Sequence, residues 1–207
     1  QSGGVFAGSI VVLVIGFGSN FVLARYFGSG VVGRYALVLN VVTLVGILSI
    51  FGFDQGLVKY VPQYRETDDF EQLHRTLSDA LSASTFLALL TGGSLVAGHD
   101  LLATRLFDDP DLSGPLFWAG CMLLPHTLFK VLGGLYKGFK YAAYYKFAGQ
   151  VLLKGLFLVG VLILSVTEYR GIVWVVGLYF VAYLLVCGCL FAGLRSFELD
   201  VGRVISG

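Results

Sequence analysis

The chain has 207 residues, 57% of them hydrophobic and 13% charged, with 14 Lys and Arg against 13 Asp and Glu. A soluble domain carries about 25% charged residues, so this composition excludes most soluble folds and selects a helical membrane protein. A net charge of +1 with no basic cluster excludes nucleic acid as a partner.

Residues 1–24, 35–53, 80–98, 112–129 and 171–194 carry no charge, and each reaches or approaches the ~20 residues that cross a bilayer core. A further apolar stretch is broken only by Lys154. We read an all-α, integral membrane fold of six transmembrane helices, at about 5–24, 35–53, 77–98, 112–131, 147–167 and 171–194. Gln1-Ser2-Gly3-Gly4 has no initiator Met and no basic n-region, so no signal peptide is read and the chain is expected to begin as an excised piece.

The first helix holds Asn20 and closes on Arg25; the second opens on Arg34, holds Asn40 and ends on Asp54-Gln55. Arg25 and Arg34 put two cations at one mouth, where a phosphate would find charge-assisted donors or where they stand as boundary charges. Asn20 and Asn40 either line a cavity or bond between helices. An acid at a helix C-terminus opposes the macrodipole, so Asp54 is expected to be held by Lys59 or Arg65, as an inner gate or structural pair.

Asp68 with Glu71 fits the cap of the third helix, with Leu73, Leu77 and Leu81 following at four-residue spacing. Asp79, with Ser82 one turn away, either faces a polar cavity or serves as a first-turn acid that stabilises the dipole. Asp108-Asp109-Pro110-Asp111-Leu112 predicts a turn into a capped fourth helix that tolerates Pro115. The three Asp residues lack the Gly turn and distal Glu of a calcium loop. His126 follows Pro125, and a kink with a polar partner is expected there.

Lys154 lies about a third of the way into the fifth span, at ~1.5 Å per residue. A charge at membrane depth costs about 2.5–3.5 kcal/mol on insertion scales, so it either serves function or snorkels to the interface near Lys146. Cys121, Cys187 and Cys189 stand in apolar runs with no His or carboxylate at metal spacing, and read as small buried hydrophobes. No catalytic constellation, metal site or cofactor is assembled, so no enzyme is expected. Gly4-x-x-x-Gly8, Gly52-x-x-x-Gly56 and Gly134-x-x-x-Gly138 permit close helix approach.

Placing both termini in the cytoplasm puts ten of the fourteen Lys and Arg on the inner side, among them Lys59, Arg65, Lys130, Lys137, Lys140, Arg195 and Arg203. Arg25, Arg34, Arg105 and Arg170 fall outside, with Asp100, Asp108, Asp109, Asp111 and Glu168.

Ala24-Arg25-Tyr26-Phe27-Gly28, then Gly33-Arg34-Tyr35, then Gly52-Phe53-Asp54-Gln55-Gly56-Leu57-Val58-Lys59-Tyr60-Val61-Pro62, resembles the N-terminal part of the polysaccharide biosynthesis or O-antigen flippase family, in the superfamily of multidrug exporters and lipid II flippases. Leu106-Phe107-Asp108-Asp109-Pro110-Asp111-Leu112 is similar to that family as well. The resemblance implies one six-helix lobe of a two-lobe transporter, the second lobe lying outside this sequence. It further implies passage of a lipid-linked oligosaccharide, a glycan on polyprenyl phosphate, between the lobes by alternating access in the cytoplasmic membrane, among membrane lipids. In the lipid II branch, arginines low in the first helix bind pyrophosphate; here the first helix offers Arg25 at its outer end.

Arg25, Asp79 and Lys154, with Asn20 and Asn40, are therefore the candidate cavity residues. A cation-coupled drug or metabolite exporter of the same superfamily is the alternative; it calls for buried carboxylates, and Asp79 is the acid nearest a span. A membrane glycosyltransferase or polymerase would need an extended outer loop, and these loops are short.

Overall fold

The structure, a computed structural model, describes residues 2–167 and 171–205, with side chains described over 6–167 and 171–194. Glu168, Arg170 and the side chains of Arg195 and Arg203, on which the charge count draws, lie outside the described residues.

All regular elements among the described residues are helical: α1 (Ser2–Phe27), α2 (Ser29–Ile50), α3 (Phe53–Glu66), α4 (Phe70–Leu101), α5 (Ser113–Gly138), α6 (Ala142–Tyr144), α7 (Leu152–Val166) and α8 (Ile172–Ile205). A π-helical turn (Leu102–Leu106) extends α4, a 3₁₀ turn (Pro110–Leu112) precedes α5, and a π-helical stretch (Tyr145–Val151) joins α6 to α7. Six segments are long and apolar enough to cross a membrane: Phe6–Phe27, Ser29–Ile50, Phe70–Leu106, Pro110–Gly138, Ala142–Val166 and Ile172–Leu194.

Local chemistry sets the boundaries and corrects several expectations. Gly28 (φ 85°) turns α1 into α2, while Phe51 (φ 47°) and Gly52 (φ 82°) stop α2 at Ile50. Asp54 consequently lies in the first turn of α3, where the macrodipole favours an acid, and does not end the second span. The cap of α4 is Asp69, whose carboxylate accepts from the Gln72 N–H at 3.1 Å, whereas Asp68 takes a left-handed φ of 54° ahead of it. Because α4 begins at Phe70, Asp79 sits well inside the helix and is no first-turn acid. Asp109 caps the 3₁₀ turn by accepting from the Asp111 N–H at 3.2 Å, as the Asp-Pro-Asp pattern predicts.

The fourth predicted span runs seven residues past its expected end, because α5 continues past Lys130 and closes only at Gly138. The terminus is a Schellman-type closure in which the Tyr141 N–H reaches the Tyr136 carbonyl at 2.8 Å and Lys140 adopts φ 66°.

α5 is the hub. Two-thirds of its span (67%) is buried, against 17% for α1, and it meets α2, α3, α4 and α8. Small residues allow this. A Cβ on Gly92 of α4 would come within 2.7 Å of the Gly120 carbonyl of α5, and one on Gly120 within 2.9 Å of the Gly92 carbonyl. On another face Gly134 lies against the Asp54 backbone, and a Cβ on Gly138 would be 2.7 Å from the Leu57 carbonyl. Gly134-x-x-x-Gly138 is thus the seat of α3. Gly52-x-x-x-Gly56 does not work this way, since Gly52 supplies the turn and nothing lies within 4 Å of a Cβ at Gly56. Gly8 of α1 adjoins Lys146 and Phe147.

An aromatic series ties the other helices to this hub. Tyr35 of α2 stacks on Phe157 of α7 at 5.5 Å, Phe157 meets Tyr179 of α8 at 4.6 Å, and Tyr183 lies 5.5 Å from Phe129 of α5. Polar pairs cross helix interfaces as well: Ser49 of α2 with Thr91 of α4 at 2.7 Å, and the Tyr136 hydroxyl of α5 donating to the Leu190 carbonyl of α8 at 2.8 Å.

Candidate functional site

A cleft of about 290 Å³ opens within the spans between α1, α2, α5, α7 and α8. Helical spacing builds its walls. α5 contributes Met122, His126, Phe129 and Lys130 from one face, and α8 contributes Tyr179 and Tyr183, one turn apart. α2 adds Leu39, Val42 and Thr43; the π-helical stretch and α7 add Gln150, Leu153 and Lys154; Val12 of α1 completes the lining.

The charged groups on these walls are two lysines, Lys130 and Lys154. Lys154 is half-buried, and its ammonium stands 5.6 Å from the centre of the Tyr179 ring, a cation–π contact that holds it beside the aromatic wall. His126 has the polar partner expected of it: Nδ1 lies 3.0 Å from the Tyr183 hydroxyl, deep in the lobe. Gly46 admits the ring, since a Cβ there would meet its Cδ2 at 3.1 Å. Lys130, exposed, and Lys154, half-buried, give a phosphate two charge-assisted donors from one cleft. Flat Tyr and Phe faces suit a sugar ring, and Gln150 and Thr43 can bond hydroxyls.

Of the residues singled out from the sequence, Lys154 and His126 line this cleft. Arg25, Asn20, Asn40 and Asp79 lie on exposed surface of the lobe and none lines it. Asp54 accepts from the Gln55 amide at 3.2 Å and not from the expected cations; Lys59 stands over the Tyr60 ring at 5.1 Å and Arg65 over Phe139 at 5.4 Å.

Sequence reasoning missed Lys130, Gln150, Tyr179 and Tyr183. Ending the fourth helix at 131 left Lys130 as an interface charge, although the apolar run Val131–Tyr136 was the signal that the helix continued past it. Tyr179 and Tyr183, spaced i, i+4 in a span apolar on every side, were the readable trace of a polar stripe.

In the N-terminal part of α2, Arg34 is held by two carboxylates. Its Nε donates to Asp109 at 2.7 Å, one Nη to the same carboxylate at 3.1 Å, and that Nη also lies 3.0 Å from Asp111. Arg34, read from the sequence as either a phosphate donor or a boundary charge, is instead a clasp between α2 and the α4–α5 turn. Beside it, His99 Nδ1 lies 2.9 Å from the Ser113 hydroxyl, which also donates to Asp100. In a thermal unfolding series, Arg34→Ala is expected to lower the melting temperature, and Asp109→Asn to lower it no further once Arg34 is gone. Additive losses would disprove the clasp.

These spans and the cleft at membrane depth define a multi-pass α-helical membrane protein. The family model described as polysaccharide biosynthesis protein matches residues 3–199, and the chain belongs to that family. Its role is therefore one of membrane transport in polysaccharide synthesis. No curated protein and no solved structure matches the chain.

Proposed function

We propose that this lobe, with a second six-helix lobe, translocates a polyprenyl-phosphate-linked oligosaccharide across the cytoplasmic membrane by alternating access, with both termini cytoplasmic. The observation that carries the reading is the cleft itself, where Lys130 and Lys154 reach one space from two spans and aromatic rings form its wall. A phosphate or diphosphate is neutralised by the lysines and the sugar rests on the Tyr and Phe faces. The prenyl chain stays among membrane lipids outside the helices.

Arg25, Asp79, Asn20 and Asn40, exposed on this lobe, belong in this reading to surface open to the second lobe. Asp54 and Lys59, on α3, flank the inner entrance. Both charged groups of the cleft are cations, which favours an anionic cargo over the cationic drugs of the exporter reading.

The test is a vesicle assay with the purified full-length protein and a short lipid-linked sugar placed in one leaflet. Exposure of the sugar to a lectin on the far side should rise well above that of protein-free vesicles. Equal rates in both would sink the proposal.

A further inference from the structure

A second concavity, of about 240 Å³, lies at the end of the molecule that carries α3, between the C-terminal turn of α3 and the turn that follows α5. Pro62, Arg65, Glu66, Gly138 and Lys140 line it. We propose that this groove binds the phosphodiester headgroup of an anionic phospholipid.

Its level in the membrane comes first. The α5 span ends at Gly138, so the groove sits where hydrocarbon gives way to water, and Tyr60, Tyr141 and Tyr144 are exposed near it, as in an interfacial aromatic belt. Its charge is the second point. Arg65 lies with its guanidinium 5.4 Å from the Phe139 ring, which fixes the group by stacking and leaves its N–H donors for a ligand. Among the described residues no carboxylate forms an ion pair with Arg65 or Lys140, Glu66 on the same wall included.

Lys140 supplies the third point. It occupies the C′ position of the Schellman closure at φ 66°, a conformation that glycine adopts without strain and lysine rarely does. A cation stands where the backbone alone would favour glycine, beside a groove that takes an anion.

Cations at helix C-termini also answer the macrodipole, and the experiment separates the two roles. The full-length protein is purified in mixed micelles of phosphatidylglycerol and phosphatidylcholine, and retained lipid is counted by native mass spectrometry. The wild type should retain phosphatidylglycerol preferentially. Arg65→Gln and Lys140→Gly should each reduce that retention about fivefold, as for loss of one interfacial cation. Lys140→Gly should melt no lower than wild type, because glycine relieves the positive φ. Excess inorganic phosphate should not displace the lipid, whose acyl chains add apolar contact.

Equal retention of the two lipids by the wild type would overturn the proposal. So would variants that retain phosphatidylglycerol as the wild type does, which would make Arg65 and Lys140 helix-end charges only. Displacement by phosphate alone would replace the phospholipid by a free-anion site.

Discussion

Cells that depend on this transporter should lose at least about 99% of their surface glycan flux when Lys130 and Lys154 are both replaced by Ala. Each lysine offers a charge-assisted hydrogen bond worth about 1.5–3 kcal/mol to a phosphate, and at about 1.4 kcal/mol per tenfold, losing two such contacts amounts to a hundredfold or more. Lys154→Ala alone should cost about tenfold, and Lys154→Arg should keep most of the flux because the charge remains over the Tyr179 ring. Removing a half-buried lysine stem from α7 leaves the surrounding apolar contacts in place, so protein levels should hold. The measurement is glycan restoration in a strain lacking its own copy, normalised to transporter in the membrane. Undiminished glycan from the double variant at normal abundance would remove both lysines from the substrate path.

The second large effect is structural. Gly134→Val should destabilise the lobe by about 3 kcal/mol, toward the upper end of ordinary overpacking costs. The added atoms meet the Asp54 main chain, which cannot swing aside as a side-chain tip can. The first turn of α3 would have to lift from α5, carrying Leu57 and Val61 out of the core. Gly56→Ala is the matched control, since nothing lies within 4 Å of a Cβ there. Detergent-solubilised protein should show a markedly lower melting temperature and early proteolytic cleavage in α3 for the valine variant only. A wild-type melting curve would show that the α3–α5 contact is not a close one.

Much of the fold was legible because hydropathy and span length are strong signals: six helices follow from where charges are missing. The errors cluster where one backbone torsion decides. Phe51 and Gly52 in left-handed conformation ended α2 before Asp54, and hydropathy does not register a φ angle. Asp68 and Asp69 are equally good caps on paper; only the chain path makes Asp69 the acceptor. The fourth helix, expected to end at 131, continues past Lys130 to Gly138, and the left-handed Lys140 closes it.

The site was legible in part for a related reason. Lys154 interrupts an apolar run and announces itself, while Lys130 sits near the point where such a run was expected to end. Asn20, Asn40 and Asp79 are equally polar on the page, yet all three are exposed and outside the cleft, Asp79 on α4, which contributes no residue to its walls. Facing is a tertiary property, and a single sequence fixes it only where a stripe has an unmistakable period. Arg34 shows the same limit, because its bidentate partner Asp109 lies 75 residues away.

The π-helical stretch Tyr145–Val151 sets the azimuth of everything beyond it in the fifth span. A π turn holds more residues than an α turn, and each residue of an α-helix advances the side chain by about 100° around the axis. Were one residue lost from this stretch and the helix made regular, Lys154 would swing by roughly that angle, out of the cleft and toward lipid or a neighbouring helix. The widened turn therefore acts as a phase shifter: it lets the lower part of the span keep Lys146 against Gly8 of α1 while the upper part aims Lys154 at Tyr179.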